Sequence, residues 1–327
     1  MDNKRIIFFG SGDFPRETFL KLINNQGEYQ IVGLVTSYDK CEDGGKTLKE
    51  CAEENNIPTI AIRSCEGEDL KEWCKSLRPN MFIVISFKKL PRTLLSLVNG
   101  RSFNVHASTL PFLKGANPIR WAIRYGMTST GLTAIELCDK IDCGRIIDNT
   151  IVSISEDDNY GTLKNKLSER CALFTYLVMQ TFEMHRPILQ CTCGLNLGVL
   201  NAPKMDSSYF KINENEELTS VLKSVLPYNG IKCKLVVSKK TFNLDYLRDA
   251  DEKVKEYGCT IWGLHKGIDE KPTIRISQPL FQDYIVDEIQ IEGKKRMLTQ
   301  EFVNGFKYTK KGEKKESDYF VTIELNM

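Results

Sequence analysis

The chain has 327 residues, of which 41% are hydrophobic and 27% charged, which is enough to bury one large core and a smaller second core. Its formal net charge of +2 excludes a global field that attracts nucleic acid or anionic membrane, so a polyanionic partner would need local basic patches. The apolar run Ile6 to Phe9 is too short for a signal peptide, and no later stretch approaches the ~18 apolar residues of a membrane span. We therefore expect a soluble, cytoplasmic protein of two domains with no membrane partner.

The 11 cysteines are odd in number and scattered along the chain. Only Cys191 and Cys193 lie close together in sequence, and no CxxC motif occurs. This usage predicts reduced packing residues, with neither a disulfide framework nor a metal site.

Short apolar runs alternate with helix-length segments through the first half of the chain. The runs rich in β-branched and aromatic residues predict strands at 5–9, 31–36, 59–63, 81–86, 102–106, 132–137 and 146–154. The amphipathic segments predict helices at 15–23, 47–55, 68–76 and 118–125. Such alternation is typical of an α/β fold with a mostly parallel sheet, in which ligands bind beyond the carboxyl ends of the strands.

The first predicted strand ends in the glycine loop Gly10-Ser11-Gly12. The loop lacks the third glycine of a dinucleotide-binding fingerprint, and no acidic residue clearly ends the second strand. It therefore predicts a tight turn between strand and helix, and no NAD is expected.

Asn104 and His106 form the most informative pair in the sequence. If residues 102–106 are a strand, the period of two puts both side chains on one face, with Phe103 and Val105 on the other. A lone histidine is usually structural, but the Asn-x-His spacing at the end of a strand favours a functional site for His106.

Two carboxylates compete as a partner for that imidazole. Asp139 and Asp142 both lie in the turn Cys138 to Arg145, which follows the strand predicted at 132–137. These residues alone leave the choice between the two acids open.

Three separate motifs follow one another along the sequence: Asn104-x-His106-x-Ser108-x-Leu110-Pro111, Lys114-Gly115-Ala116-x-Pro118-Ile119 and Ile141-Asp142-x-Gly144. They resemble the formyltetrahydrofolate-dependent formyltransferase family. The resemblance covers residues 1 to about 190 and implies a Rossmann-like formyltransferase domain.

The resemblance also implies a chemistry, in which an amine attacks the formyl group of the co-substrate 10-formyltetrahydrofolate without a metal. The Asn104 amide and protonated His106 would hydrogen-bond the developing oxyanion, and one such donor is typically worth ~10²–10³ in rate. Asp142 would hold His106 and help to move the proton. The residues implied to bind the folate are Phe87, Lys88, Lys89, Leu90, Ser108, Thr109, Leu110 and Pro111.

Later segments, Ala202 to Lys204, Gly293 to Met297 and Glu301 to Phe306, resemble the carboxy-terminal domain of the family's methionyl-tRNA branch. That domain is a small open β-barrel of the OB type, and the runs 231–237, 273–276 and 284–292 can supply strands. We expect a catalytic domain at 1–190, a linker at 191–208 and an OB-like domain at 209–327.

The resemblance implies the amino group of initiator methionyl-tRNA as the acceptor, but several features depart from it. The loop Asp39 to Lys46 is short and lacks the arginine of the tRNA enzymes, and Phe112 and Leu113 replace their usual basic and aromatic pair. Residues 206–327 carry 20 basic and 20 acidic residues, so only local clusters could hold phosphates. Those clusters comprise Lys232, Lys234, Lys239 and Lys240, and Lys294, Lys295 and Arg296.

Three alternatives therefore remain beside the tRNA acceptor. The short loop, together with the indole of Trp121 as a stacking surface, is compatible with an amino sugar linked to a nucleotide. A non-catalytic folate-binding or RNA-binding module would predict loss of Asn104, His106 or Asp142, and all three are present. A folate-dependent hydrolase, with water as the acceptor, is a lesser variant.

Overall fold

The computed structural model describes residues 3–38, 41–191, 201–205, 217–226, 231–239, 255–266, 274–276, 284–299, 301–302 and 319–325. The chain divides into two compact units, Met1–Lys204 and Met205–Met327. This boundary falls within the segment predicted as a linker, and the exact limits of the predicted domains stay a prediction. Several predicted features lie outside the described residues: Asp39, Lys40, 192–200, 206–208, Lys240, Thr273 and 303–306.

The first unit is built on a seven-stranded sheet of order β3-β2-β1-β4-β5-β6-β7. The strands are β1 Lys4–Gly10, β2 Tyr29–Thr36, β3 Thr59–Ala61, β4 Met81–Ile85, β5 Ser102–His106, β6 Ser129–Glu136 and β7 Ile146–Ser153. The pairings from β3 across to β5 are parallel, and β6 and β7 add to the edge in antiparallel fashion. The mostly parallel α/β sheet predicted from the sequence is confirmed.

Among the residues that the structure describes in this unit, six α-helices connect or cover the strands: α1 Arg16–Asn24, α2 Leu48–Glu54, α3 Glu68–Ser76, α4 Arg92–Leu95, α5 Pro118–Arg124 and α6 Tyr160–Thr181. Capping residues near the first turn determine where several of these helices begin. Thr47 and Asn159 each form a capping box at the start of α2 and α6, and Pro118 occupies the first turn of α5. None of the helices within the described ranges is long and apolar enough to cross a membrane.

Two cores cover the two faces of this sheet. One combines α1, α5 and α6 with Phe8, Phe103 and Val105, and the other combines α3 and α4 with Phe9 and Phe82. Phe103 and Val105 thus face α6, which directs Asn104 and His106 of the same strand toward the opposite face. The alternation predicted for this strand is confirmed, and it brings the amide and the imidazole to one side of the sheet.

In the described part of the second unit, helix α7, Leu218–Val225, is followed by strands β8 Ile231–Lys239, β9 Lys255–Lys266, β10 Ile274–Ile276, β11 Tyr284–Ile291, β12 Met297–Leu298 and β13 Tyr319–Leu325. Because β10 pairs with both β13 and β11, five strands form a closed ring, β10-β13-β8-β9-β11. A five-stranded barrel of this kind agrees with the predicted OB-like domain. Three of its strands were predicted from the sequence, whereas β9 and β13 were not.

The core around α6 offers a direct stability test. Leu167 is fully buried in that helix, whereas Leu177, three turns later, is half exposed. Leu167→Ala should lower the free energy of unfolding by about 2–5 kcal/mol, because it removes buried methyl groups and leaves a cavity. Leu177→Ala should stay within about 0.5 kcal/mol of the parent chain. Urea unfolding of both variants checks this, and equal losses would contradict the assignment of the buried helix face.

Candidate active site

A cavity of about 480 Å³ opens at the carboxyl ends of the first unit's strands, and its walls come from both faces of the sheet. Phe87 and Leu90 belong to the core around α3 and α4, whereas Ile119 belongs to the core around α6. Its lining residues are Phe14, Val84, Ser86, Phe87, Lys88, Lys89, Leu90, Asn104, Val105, His106, Ala107, Gly115, Ala116, Asn117, Pro118, Ile119, Arg120, Ile135, Glu136, Leu137, Cys138, Lys140, Ile141, Asp142, Tyr160 and Lys164. All three predicted catalytic residues are among them.

His106 is buried at the end of β5 and is held from two directions. Its Nε2 atom lies 2.8 Å from the carbonyl oxygen of Leu113. Because a carbonyl can only accept, Nε2 carries the hydrogen of this bond. The other ring nitrogen, Nδ1, faces Asp142 Oδ1 at 3.5 Å. The imidazole is therefore fixed in orientation, with Nδ1 directed toward the carboxylate.

Asp142 is the acid that reaches the imidazole, and the structure separates it from its competitor. Asp139 is half exposed, forms an ion pair with Arg92 and does not line the cavity. The side chain of Asp142 is only 9% exposed, and its Oδ2 accepts a hydrogen bond of 2.9 Å from the backbone N–H of Gly115. This contact explains why the motif around Gly115 and the motif around Asp142 occur together.

The turn that carries Asp142 is held by its backbone. Asp142 has a left-handed φ of 52°, and the Nε2 atom of Gln190 donates to the carbonyl oxygens of Asp142 and Gly144, each at 2.9 Å. A Cβ atom at Gly144 would overlap the carbonyl oxygen of Glu136. Glycine is thus required at position 144 by a close approach of backbone to backbone. The sequence did not indicate the role of Gln190, which lies far along the chain.

The predicted folate residues divide into two groups. Phe87, Lys88, Lys89 and Leu90 line the cavity directly after β4. Phe87 packs against Phe9 with a centroid distance of 5.7 Å, and Lys88 Nζ donates to the carbonyl oxygen of Arg63 at 2.5 Å. This segment therefore presents an apolar wall whose position is fixed by the core below it.

The second group, Ser108, Thr109, Leu110 and Pro111, does not line the cavity. Ser108 Oγ donates to the carbonyl oxygen of Phe112 at 2.6 Å. Thr133 Oγ1 donates to the carbonyl oxygen of Ser108 at 2.6 Å and accepts from the N–H of Leu110 at 3.0 Å. The peptide bond between Leu110 and Pro111 is cis. These contacts fix the loop that presents the Leu113 carbonyl to His106.

A cluster of charged residues that the sequence analysis missed lies at the α5 and α6 side of the cavity. Lys164 Nζ contacts Asp13 Oδ2 at 2.7 Å and Glu42 Oε2 at 3.4 Å. Arg120 contacts Glu42 Oε1 at 3.1 Å, and Tyr160 donates to Glu42 Oε2 at 2.8 Å. Burial raises the pKa of Tyr160, so its hydroxyl stays neutral and remains a donor.

The sequence carried only a weak signal for this cluster. The i, i+4 spacing of Tyr160 and Lys164 puts them on one face of α6, but nothing in the sequence pairs that face with Glu42, 118 residues from Tyr160. Trp121, considered above as a stacking surface, is buried instead and donates through Nε1 to the carbonyl oxygen of Pro203 at 2.9 Å. It does not line the cavity.

Comparison with known proteins agrees with this geometry. Residues 4–174 match the model of the formyl transferase family. The chain is 30% identical to a methionyl-tRNA formyltransferase of Flavobacterium psychrophilum over 93% of this chain and 97% of that one. It is 28% identical to a methionyl-tRNA formyltransferase of Flavobacterium johnsoniae, over 94% and 98% of the two chains.

Among solved structures, the chain resembles WlaRD, a sugar 3N-formyl transferase, with a TM-score of 0.56 and 17% identity over 90% of this chain and 99% of that one. At this level of identity the likeness concerns the fold alone. The family match and the full-length relatives together lead to one conclusion: the chain belongs to the formyl transferase family.

Proposed function

We propose that the protein transfers the formyl group of 10-formyltetrahydrofolate to the amino group of initiator methionyl-tRNA. The observation that carries this proposal is the convergence of Asn104, His106 and Asp142 on one cavity, in a chain whose full-length relatives are methionyl-tRNA formyltransferases. The reaction is a step of translation initiation, which takes place in the cytoplasm, so we propose that location too.

The three polar residues divide the chemistry between them. Transfer requires donors for the formyl oxygen as it becomes negative and a group that takes a proton from the attacking amine. The Asn104 amide is one donor. Protonated His106 is the second, through an Nδ1–H that lies between the formyl oxygen and Asp142, because Nε2 is engaged by Leu113. Asp142, whose Oδ2 is anchored by Gly115, leaves Oδ1 toward His106. It accepts the proton of the attacking amine and helps to deliver it to the folate nitrogen, which leaves as its bond to the formyl carbon breaks.

The residues present fit a folate. A cavity of about 480 Å³ is within the range of small-molecule sites, which combine apolar walls with a few convergent polar groups. Phe87, Leu90 and Leu137 supply apolar surface for a flat ring, and the backbone of residues 87–90 supplies donors and acceptors. We propose that Phe87, Lys88, Lys89 and Leu90 contact the folate, and that residues 108–111 act indirectly by positioning Leu113.

A nucleotide-linked amino sugar is the second candidate acceptor. It is favoured by Glu42, an acid in the loop where a tRNA-binding arginine was expected, and by the balance of charge in residues 206–327. The methionyl-tRNA acceptor is supported by the relatives that span nearly the whole chain, including the second unit. We therefore place the tRNA acceptor first.

The first test of this function is an assay with matched variants. The protein is incubated with 10-formyltetrahydrofolate and either charged initiator tRNA or a panel of nucleotide-linked amino sugars, and release of tetrahydrofolate is followed. Transfer to the tRNA is expected. His106→Ala and Asp142→Asn should each lower turnover by roughly 10²-fold or more, as for groups that act in proton transfer.

One control and one further variant accompany these two changes. Asp139→Asn removes the competing carboxylate outside the cavity and should leave turnover unchanged. Asn104→Ala should lower turnover more than folate affinity, because its donor matters chiefly as the oxygen becomes charged. Near-normal turnover of folded His106→Ala would exclude the proposed mechanism, and transfer to a sugar but not to tRNA would exclude the proposed acceptor.

The turn at Asp142 yields a second prediction. Gly144→Ala should force the turn away from Glu136 and displace Asp142, and a misplacement of about 1 Å can cost up to ~10²-fold in rate. We expect turnover to fall by at least roughly tenfold in a protein that still folds. Gly27→Ala is the matched control, since its added methyl group meets no atom within 4 Å. Equal turnover of the two variants would show that the position of this turn does not affect formyl transfer.

Salt dependence tests the acceptor through the second unit. Lys294 and Lys295 are exposed, whereas Arg296 is paired with Glu288 at 2.5 Å. If tRNA phosphates bind there, each contact adds about −0.7 to −0.9 to the slope of log affinity against log salt concentration. Four contacts then cost roughly 50-fold or more in affinity between 50 and 200 mM salt. Replacing Lys294 and Lys295 by Gln should flatten this slope.

The matched control for that titration replaces Lys71 and Lys75, two lysines of α3, by Gln, which changes the net charge equally. This control should keep the steep slope. A wild-type affinity for tRNA that does not change across the salt range would argue against tRNA as the acceptor.

A further inference from the structure

Two basic side chains that the transfer chemistry does not use, Arg120 and Lys164, line the cavity while less than one tenth exposed. Burying a charge is costly unless partners compensate it. Surface cations help to keep a protein soluble, but buried cations do not. The position of these two in the wall of a ligand cavity therefore suggests a role in binding.

The acidic partners of these two cations differ in accessibility. Asp13, which contacts Lys164 at 2.7 Å, is itself buried, with 9% of its side chain exposed. Glu42, which contacts Arg120 at 3.1 Å and Lys164 at 3.4 Å, is 42% exposed. The first pair is thus a fixed part of the wall. Glu42 does not itself line the cavity, but it is the more exposed of the two acids, so it is the one that an incoming anion could replace.

The geometry around Arg120 suits a phosphate. Its guanidinium carbon lies 3.5 Å from the centroid of the Tyr160 ring, which holds the group in one position. A positioned guanidinium offers several N–H donors in a fork that matches two phosphate oxygens. The Tyr160 hydroxyl, which now donates to Glu42, would become available to the same ligand.

The charges favour a ligand with a single negative charge. Asp13, Glu42, Arg120 and Lys164 sum to zero while Glu42 remains, and departure of Glu42 leaves one positive charge among them. A phosphodiester of a nucleic acid carries one negative charge, whereas the diphosphate of a nucleotide-linked sugar carries at least two. Complete neutralisation therefore favours the phosphodiester.

The location fits an acceptor rather than the folate. Arg120 and Lys164 belong to α5 and α6, which cover one face of the sheet, whereas Phe87 and Leu90 belong to the core of the other face. Asn104 and His106 lie at the end of β5 and line the same cavity. One cavity thus has a separate wall for each of two substrates.

We propose that Arg120 and Lys164, with Tyr160, form a subsite for a phosphodiester next to the aminoacylated end of the acceptor, and that Glu42 pairs with these cations until the acceptor displaces it. This inference rests on the proposed function, because it specifies how the RNA end of that acceptor is bound. On this proposal, Arg120 increases the affinity for an acceptor with a phosphodiester, whereas Glu42 decreases it.

The test compares two small probes on the full-length chain by calorimetry: cytidylyl-adenosine, which carries one phosphodiester, and adenosine, which carries none. The wild-type protein should bind the dinucleotide roughly tenfold more tightly than the nucleoside, as expected for one charged hydrogen-bonding contact. In Arg120→Gln, the ratio of the dissociation constants of the nucleoside and the dinucleotide should fall close to one. Glu42→Gln should increase it, because the competing charge is removed while the shape is kept.

Arg124→Gln is the matched control, since Arg124 lies one turn later on α5, is equally buried and does not line the cavity. It should keep the wild-type preference, and thermal melting should show that all variants are folded. Equal binding of both probes to the wild-type and Glu42→Gln proteins would overturn the subsite. Tighter, Arg120-dependent binding of a nucleoside diphosphate than of the dinucleotide would overturn the assignment to a phosphodiester.

These binding experiments need no formyl transfer, so they can fail independently of the proposed function. Absence of transfer to charged initiator tRNA would refute the function even if the dinucleotide preference is found. Transfer to tRNA with no dinucleotide preference would refute the subsite alone.

Discussion

The hydrogen bond between His106 Nε2 and the carbonyl oxygen of Leu113 is the constraint on which the site depends. A carbonyl has no tautomers and cannot donate, so the bond decides which ring nitrogen is left to face Asp142. That carbonyl is available because Leu113 adopts a left-handed φ of 57°. The buried contacts of Ser108 and Thr133 hold the preceding loop in place. On this side of the ring, the orientation of the imidazole is therefore set by the backbone.

The opposite side of the imidazole is organised in the same way. Asp142 approaches Nδ1 from a turn whose shape requires glycine at 144. The backbone N–H of Gly115 donates to the carboxylate, and the side-chain amide of Gln190 donates to the backbone of the turn. Three chain segments that are far apart in sequence thus meet within hydrogen-bonding distance. Such preorganisation has a physical value, because dipoles that are already oriented need not rearrange as charge develops.

The sequence predicted those parts of the molecule that depend on local pattern. Period-two alternation identified β5 and put Asn104 and His106 on one face, and apolar runs identified β4 and β6 to within a few residues. It could not choose between Asp139 and Asp142, because that choice depends on a turn whose course is set by Glu136 and Gln190. It also missed Arg120 and Lys164, since burial of a charge depends on partners that only the tertiary fold supplies.

The charged cluster links acceptor recognition to folding. A buried cation in the wall of the cavity destabilises the free protein unless an acid neutralises it. Glu42 supplies that negative charge when no acceptor is bound. An acceptor must then contribute enough binding energy to replace that acid. A ligand without a suitable negative charge gains nothing from displacing Glu42 and is selected against. The same ion pair that makes Arg120 tolerable in the folded chain thereby raises the selectivity of the site. The residues that we propose as catalytic lie on the other face of the sheet and need not change for the acceptor preference to change.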